Sequence, residues 1–320
     1  MASEVKVSII IPVYNTEKFL SRCLDSLQKQ TLHDLEIIII NDQTPDNSMQ
    51  IATEFAKKDS RIRILENSQN MGPMWSRREG YSRAKGEYIV FCDSDDYFPI
   101  DALKILYETA QTNGSDLVIG AYTYLSISGE EKTFRTGAQQ VLSQEDLYKA
   151  LLTGKIPHSL WAKIYHRRLF DGFDYETFIH HTNGEDMILL YQLVNQSHKI
   201  IIIEDSTYYY CQNALSITQN NLSEKKKGAI VYSLNWLYNF MKNKTDLVDL
   251  LNQRVLKIVF FLLLNNISTK NLNRLNKEFM KKMRFPFLYK QLGLFKTIIF
   301  MSLLHSSLFR QLYSLKKSKI

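Results

Sequence analysis

Short apolar runs at residues 7–11, 35–40, 62–65 and 88–92 are rich in isoleucine, valine and aromatic residues, and each is separated from the next by enough chain for one helix. Such runs, bounded by turn formers, read as fully buried strands. Helical spacing fills the gaps. Leu20, Cys23, Leu24 and Leu27 follow Thr16 and Glu17, which suit a helix start; Ile51, Phe55 and Ala56 mark a second helix, and residues 74–84 a third. Residues 117–119 add a fifth strand. Strands alternating with helices imply an α/β chain built on a mostly parallel sheet covered on both faces.

Sheets of this kind bind ligands at the carboxyl ends of their strands. After the first strand come Pro12, Val13, Tyr14, Asn15 and Glu17; after the second, Asn41, Asp42 and Thr44; after the fourth, Asp93, Ser94, Asp95 and Asp96. Carboxylates crowded at the mouth of a buried strand repel one another, and desolvation raises their pKa values unless a cation compensates. All-oxygen ligands suit Mg²⁺ or Mn²⁺. A calcium loop of the EF-hand kind fails, since Phe98 stands where that loop needs glycine and Lys104 where it needs glutamate. The plain alternative is a polar strand end with Asp96 or Asp101 as a helix cap.

Neither Gly-x-Gly-x-x-Gly nor a Walker loop is present, so phosphate would be held otherwise. A metal on Asp93 and Asp95, helped by Arg77 or Arg78, would serve. Tyr14 offers a flat face and Asp42 an acceptor, which suits a nucleobase. Read singly, Tyr14 is equally a loop aromatic, Asp42 a turn former before Pro45, and Arg77 a surface charge.

The length of 320 residues suits one large domain plus a smaller appended one. Cys23, Cys92 and Cys211 are odd in number and far apart in sequence, as free thiols of a reducing compartment are. The first residues lack an apolar core of signal-peptide length, and no stretch reaches the ~18 uninterrupted apolar residues of a membrane span. A cytoplasmic protein is expected.

Four segments then carry a family resemblance: Val-Ser-Ile-Ile-Ile-Pro-Val-Tyr-Asn from Val7, Glu-Ile-Ile-Ile-Ile-Asn-Asp from Glu36, Asn70-Met-Gly with Ser76-Arg77 and Gly80, and Asp93-Ser-Asp-Asp. In order and spacing they resemble the family 2 glycosyltransferases. Trp161-Ala-Lys163-Ile-Tyr165, Gly184-Glu185-Asp186, and Tyr208-Tyr-Tyr210 with Ser216-Ile217 extend the likeness. Cys211-Gln212 departs from it, standing where the family often has arginine.

The resemblance implies a GT-A fold, with a Rossmann-like sheet, and an inverting, metal-dependent transfer from a nucleotide-diphosphate sugar, with UDP the expected nucleotide and a hexosyl or N-acetylhexosaminyl group moved. The acceptor would be a glycan or lipid-linked saccharide of bacterial surface polysaccharide synthesis. It also implies that Pro12, Tyr14, Glu17 and Asp42 cradle the nucleoside, that Arg77 lies near the base or phosphates, and that Asp93 and Asp95 hold the metal. Ser94, Trp161 and Lys163 are expected among the substrate-binding residues, with Asp186 as general base supported by Glu185. His180 and His181 read more readily as a loop pair than as acceptor contacts.

Residues 1–220 would form the catalytic domain, its nucleotide-sugar half about 1–120 and its acceptor half about 121–220, and 221–320 a helical extension. The formal charge of +7 is concentrated in that extension. Trp236, Leu237 and Phe240 mark one helix, residues 255–264 a second and residues 298–315 a third, which ends in Lys316, Lys317 and Lys319. A basic amphipathic helix can lie on the inner face of an anionic membrane or pack on protein. No nucleic-acid-binding motif appears, which argues against that partner. Two further readings are a phosphohydrolase with Asp93 as nucleophile and a sugar-nucleotide or glycan-binding module without catalysis.

Overall fold

The computed structural model describes residues 5–172, 174–176, 183–213, 223–282 and 284–305. The chain divides into two compact units, residues 1–147 with 155–220, and residues 148–154 with 221–320.

The first unit is built on one sheet. Its strands are β1 (Val7–Val13), β2 (Leu35–Asn41), β3 (Ile62–Glu66), β4 (Tyr88–Phe91), β5 (Leu117–Leu125), β6 (Glu131–Phe134), β7 (Gln140–Leu142), β8 (Lys163–His166) and β9 (Ile200–Cys211). They lie in the order β3-β2-β1-β4-β8-β5-β9-β7, with β6 beside β5. β3, β2, β1, β4, β5 and β9 run one way, whereas β8, β6 and β7 run against them. The sheet is therefore mostly parallel, with helices α1 (Glu17–Gln28), α2 (Ser48–Lys58), α3 (Pro73–Ser82) and α4 (Ala102–Asn113) as its crossovers and α5 (Gln144–Thr153) and α6 (Glu185–Gln196) later in the chain.

β1 and β2 are apolar along nearly their whole length because both faces are covered. α1 buries Leu20, Cys23, Leu24 and Leu27, the stripe its spacing predicts. The polar exceptions face each other: Ser8 pairs with Glu36 in register, and its hydroxyl donates to Glu36 Oε1 at 2.7 Å. Lys85 and Gly86 donate their N–H groups to Glu36 and Ser8, which fixes the turn into β4.

The structure differs from expectation in places. β5 runs on to Leu125, six residues past the predicted end, and β6 and β7 were not anticipated. Cys23 and Cys92 are free thiols, yet their sulfurs lie 3.6 Å apart beneath the aspartate cluster.

The second unit holds α7 (Glu224–Met241), α8 (Val248–Leu264), α9 (Thr269–Leu272), α10 (Lys277–Lys282), α11 (Phe285–Leu292) and α12 (Leu294–His305). Leu234, Leu237 and Met241 of α7 and Val255, Leu256, Val259 and Leu262 of α8 are buried. Phe260 of α8 meets Phe300 of α12 at 5.8 Å. The helix expected at 298–315 is described as far as His305, so Lys316, Lys317 and Lys319 lie outside the described residues. No helix among the described residues is long and apolar enough to cross a membrane.

Candidate active site

Arg77 is the hub. Gly80, one turn later in α3, lets the helix approach β1 so closely that a Cβ there would lie 2.4 Å from Ile10 Cγ2. The guanidinium of Arg77 is thereby buried, 5% exposed, where the end of β4 meets the start of α6. Its Nη2 donates to Asp93 Oδ1 at 2.9 Å, its Nη1 lies 2.8 Å from Asp186 Oδ1, and Glu185 Oε1 is 4.0 Å from Nη1. The contact with Asp186 is an ion pair without hydrogen-bond alignment. Arg77 Nε and Nη1 and Asp186 Oδ1 are buried without a directed partner. A buried donor such as Arg77 Nε, with no directed partner, calls for an explanation, of which a bound ligand is one.

Gly184, at φ +91°, turns the chain so that Glu185 and Asp186 open α6, where the helix dipole favours negative charge. Burial, with Asp186 beside it, pushes Glu185 up to about 8. Burial also raises Asp186, against Arg77 and the N–H of Leu160, which draw it down. Burial opposes the charge on Arg77, but Asp186, Asp93 and Glu185 outweigh it and the guanidinium stays protonated.

The aspartates after β4 divide by role. Asp93 takes Arg77 through its side chain, and its N–H donates to the hydroxyl of Tyr208 at 3.1 Å. Asp95 accepts from Asn213 Nδ2 at 3.1 Å, and its carbonyl accepts from Arg22 at 2.8 Å. Asp96 turns into β9, where its carboxylate accepts from the Tyr208 hydroxyl and the Cys211 N–H, both at 2.8 Å. Ser94 is buried between them. Tyr208, Asn213 and Arg22 were not among the expected site residues. The tyrosine run was the one visible signal; Arg22 and Asn213 had none.

Around the ends of β1 and β2, Asp42 is buried and accepts from Asn67 Nδ2 (2.7 Å), Met71 N (2.8 Å) and Gly72 N (2.9 Å). Its carboxylate thus shapes the turn into α3, with few lone pairs left for a ligand. Glu17 accepts from Asn47 N and Nδ2, while its own N–H donates to Asp46 Oδ2, tying α1 to α2. Pro12 is half-buried, and Tyr14 stands exposed on the same edge.

Trp161 and Lys163 lie deeper than a direct ligand contact suggests. Trp161 stacks between Tyr208 (5.0 Å, 2°) and Tyr210 (5.3 Å, 16°). Lys163 donates to the carbonyls of Ser159 (2.8 Å) and Trp161 (3.3 Å), and burial brings its pKa down to about 7. Ala162, between them, sits at φ +56°, a strained geometry for alanine. His180, His181, Ser216 and Ile217 lie outside the described residues.

The donor set fits a hard divalent cation. Asp95 is raised by burial and by the Asp93 charge, a penalty that a cation would relieve. With Glu185 neutral, Asp93, Asp95, Asp186 and Arg77 leave about two negative charges, which would repel a diphosphate unless a cation came with it. No cluster of three or more protein ligands occurs among the described residues. One or two carboxylates suffice where substrate phosphates complete the shell.

A family model described as Glycosyl transferase family 2 matches residues 8–177. The chain is 34% identical over 225 residues to the uncharacterized glycosyltransferase EpsJ of Bacillus subtilis, covering 67% of this chain and 63% of the relative. It is 32% identical over 210 residues to the poly(ribitol-phosphate) beta-glucosyltransferase of Bacillus spizizenii, covering 64% of this chain and 32% of that protein. The match thus spans a little under two thirds of the first relative and about a third of the second. In fold, it resembles S. aureus TarS 1-349 solved in complex with UDP-GlcNAc, at TM-score 0.62 and 18% identity, covering 98% of this chain and 92% of that one.

Proposed function

The chain belongs to glycosyl transferase family 2, and from that premise we propose that it is a metal-dependent inverting glycosyltransferase that moves a sugar from a UDP-sugar to a hydroxyl of a glycan or lipid-linked acceptor in bacterial surface polysaccharide synthesis. Its catalytic domain would be residues 1–220, with residues 221–320 a helical extension that meets the inner face of the cytoplasmic membrane. The observation that carries the reading is the single buried guanidinium shared by Asp93 at the end of β4 and Asp186 at the start of α6. It supports the reading because it joins a carboxylate that would hold the metal to a candidate base.

Asp95 and Asp93 would hold Mn²⁺ or Mg²⁺. The cation supplies Lewis-acid stabilisation of the departing nucleotide diphosphate. Arg77 Nε, buried without a partner, would donate to a phosphate oxygen. Asp186 accepts the proton of the acceptor hydroxyl as its oxygen attacks the anomeric carbon from the side opposite the leaving group, and one displacement inverts the configuration. Burial raises Asp186, which makes it a stronger base than an exposed carboxylate. Glu185, neutral up to about pH 8, adds no second charge beside it.

Support for the donor comes from the UDP-GlcNAc and UDP complexes of the fold relative, and support for a polymer acceptor from the poly(ribitol-phosphate) enzyme. Calorimetric titration of UDP with and without Mn²⁺ tests the proposal. Metal-dependent binding is expected; absent or metal-independent binding overturns it.

A further inference from the structure

We propose that the aromatic side chains at the carboxyl end of β5, with β6 and β9, form a stacking platform for the pyranose rings of a glycan acceptor; this rests on the glycosyltransferase reading above. The strands place the rings in sequence. Tyr122 and Tyr124 alternate onto one face of β5, and Phe134 of β6 lies opposite Tyr122 in register. Phe134 stacks on Tyr122 at 5.1 Å and 11°, Tyr122 meets the edge of Trp161 at 4.8 Å, and Trp161 lies flat between Tyr208 and Tyr210. Ring contact is continuous from the buried Trp161, through half-buried Tyr122, to Phe134 at 38% exposure.

The inner end of this array is at the proposed base. The Lys163 ammonium lies 5.8 Å from the Trp161 ring centroid, and Leu160, next to Trp161, is among the groups that draw the Asp186 carboxyl down against burial. The outer end is exposed, since every residue of β6 is, and there Phe134 packs on Tyr122 and Lys132. β8 and β6 flank the same side of β5, where Ile119 pairs with Lys163 and Tyr122 with Phe134. Three residues of strand, roughly 10 Å, separate those pairs, and the odd offset sets Tyr122 and Phe134 on the sheet face opposite Lys163.

The chemistry favours sugar over an aliphatic ligand. A pyranose presents a face of axial C–H groups carrying slight positive charge, which the negative face of an aromatic ring attracts. Its hydroxyls, at the ring edge, need donors and acceptors. The Lys132 ammonium, which lies over the Phe134 ring at 5.1 Å from its centroid, is one such donor.

Saturation-transfer NMR on the full chain with cellotetraose, chitotetraose and maltotetraose tests the platform. At least one should receive saturation at its axial ring protons. Phe134→Leu, which keeps an apolar side chain but no π face, should cut that signal at least threefold, and Phe134→Trp should keep it. Ile127→Ala, which removes an exposed side chain outside the ring array, should leave it unchanged. No transfer to any of the three sugars, an undiminished signal in Phe134→Leu, or an equal loss in Ile127→Ala overturns the platform. UDP titration of the same sample separates the two ideas: UDP binding without a sugar response sinks the platform alone, whereas a sugar response without UDP binding sinks the donor reading and leaves the platform standing.

Discussion

Arg77 holds three carboxylates at once, and its removal leaves them buried against one another. Breaking a buried ion pair by deleting one partner costs about 3–5 kcal/mol, so Arg77→Ala is predicted to lower the unfolding free energy read from urea titration by an amount of that order. Arg77→Lys restores the charge but not the fork that reaches two carboxylates. It should fold, yet raise the donor KM and lower kcat by roughly tenfold or more, about the effect of one lost charge-assisted contact. A lysine variant with unchanged kinetics would remove Arg77 from the proposed chemistry. Asp186→Asn should retain UDP binding while kcat falls by about 10²–10⁴, the usual worth of a positioned base.

Glu185 gives a pH test at the same scale. Folding lifts its pKa from 4.5 to about 8, so the folded chain binds this proton more tightly than the unfolded chain does. The stabilisation is complete below about pH 4.5 and is lost as pH rises through 8. Glu185→Gln imitates the neutral acid. Its Tm minus that of the wild type should lie near zero at pH 5 and grow positive by pH 9; a difference constant across that range would show that Glu185 is not held neutral.

At the scale of elements, α3 positions the hub only because Gly80 permits contact with β1. Gly80→Ala would drive a methyl into Ile10, and overpacking of this kind costs about 1–3 kcal/mol. As α3 retreats, Arg77 moves with it, so the variant should lose donor affinity as well as thermal stability. Calorimetry of UDP binding beside a melting curve checks both. The same element shows where the sequence was readable. β1, β2, β4 and the helices between the strands were legible because both faces of those three strands are covered, which writes unbroken apolar runs. β6 and β7 were not, because exposed edge strands carry no alternation. The aspartate cluster was visible as a cluster, but its division was not. Asp96 turns inward to Tyr208, 112 residues later, and such a partner leaves no local trace. Arg77 had equal claims as a phosphate contact and a surface charge until the close approach at Gly80 buried it.

Across the whole molecule, charge is segregated. Residues 221–320 contain 19 Lys and Arg against 4 Asp and Glu, a net +15, whereas residues 1–220 contain 21 against 29, a net −8. A half-acidic, half-basic chain is oriented by an anionic surface, its basic part drawn in and its acidic part repelled. We predict that the full chain binds vesicles containing phosphatidylglycerol and ignores those of phosphatidylcholine alone. Each lysine near such a surface contributes about 1 kcal/mol, so replacing Lys316, Lys317 and Lys319 with serine should weaken binding by about a hundredfold. Raising the salt to about 1 M, where the Debye length falls to about 3 Å, should release the wild type. Binding that survives high salt, or that does not distinguish the two lipids, would mean that these charges do not anchor the protein. The helical extension would then be left to pack on protein instead.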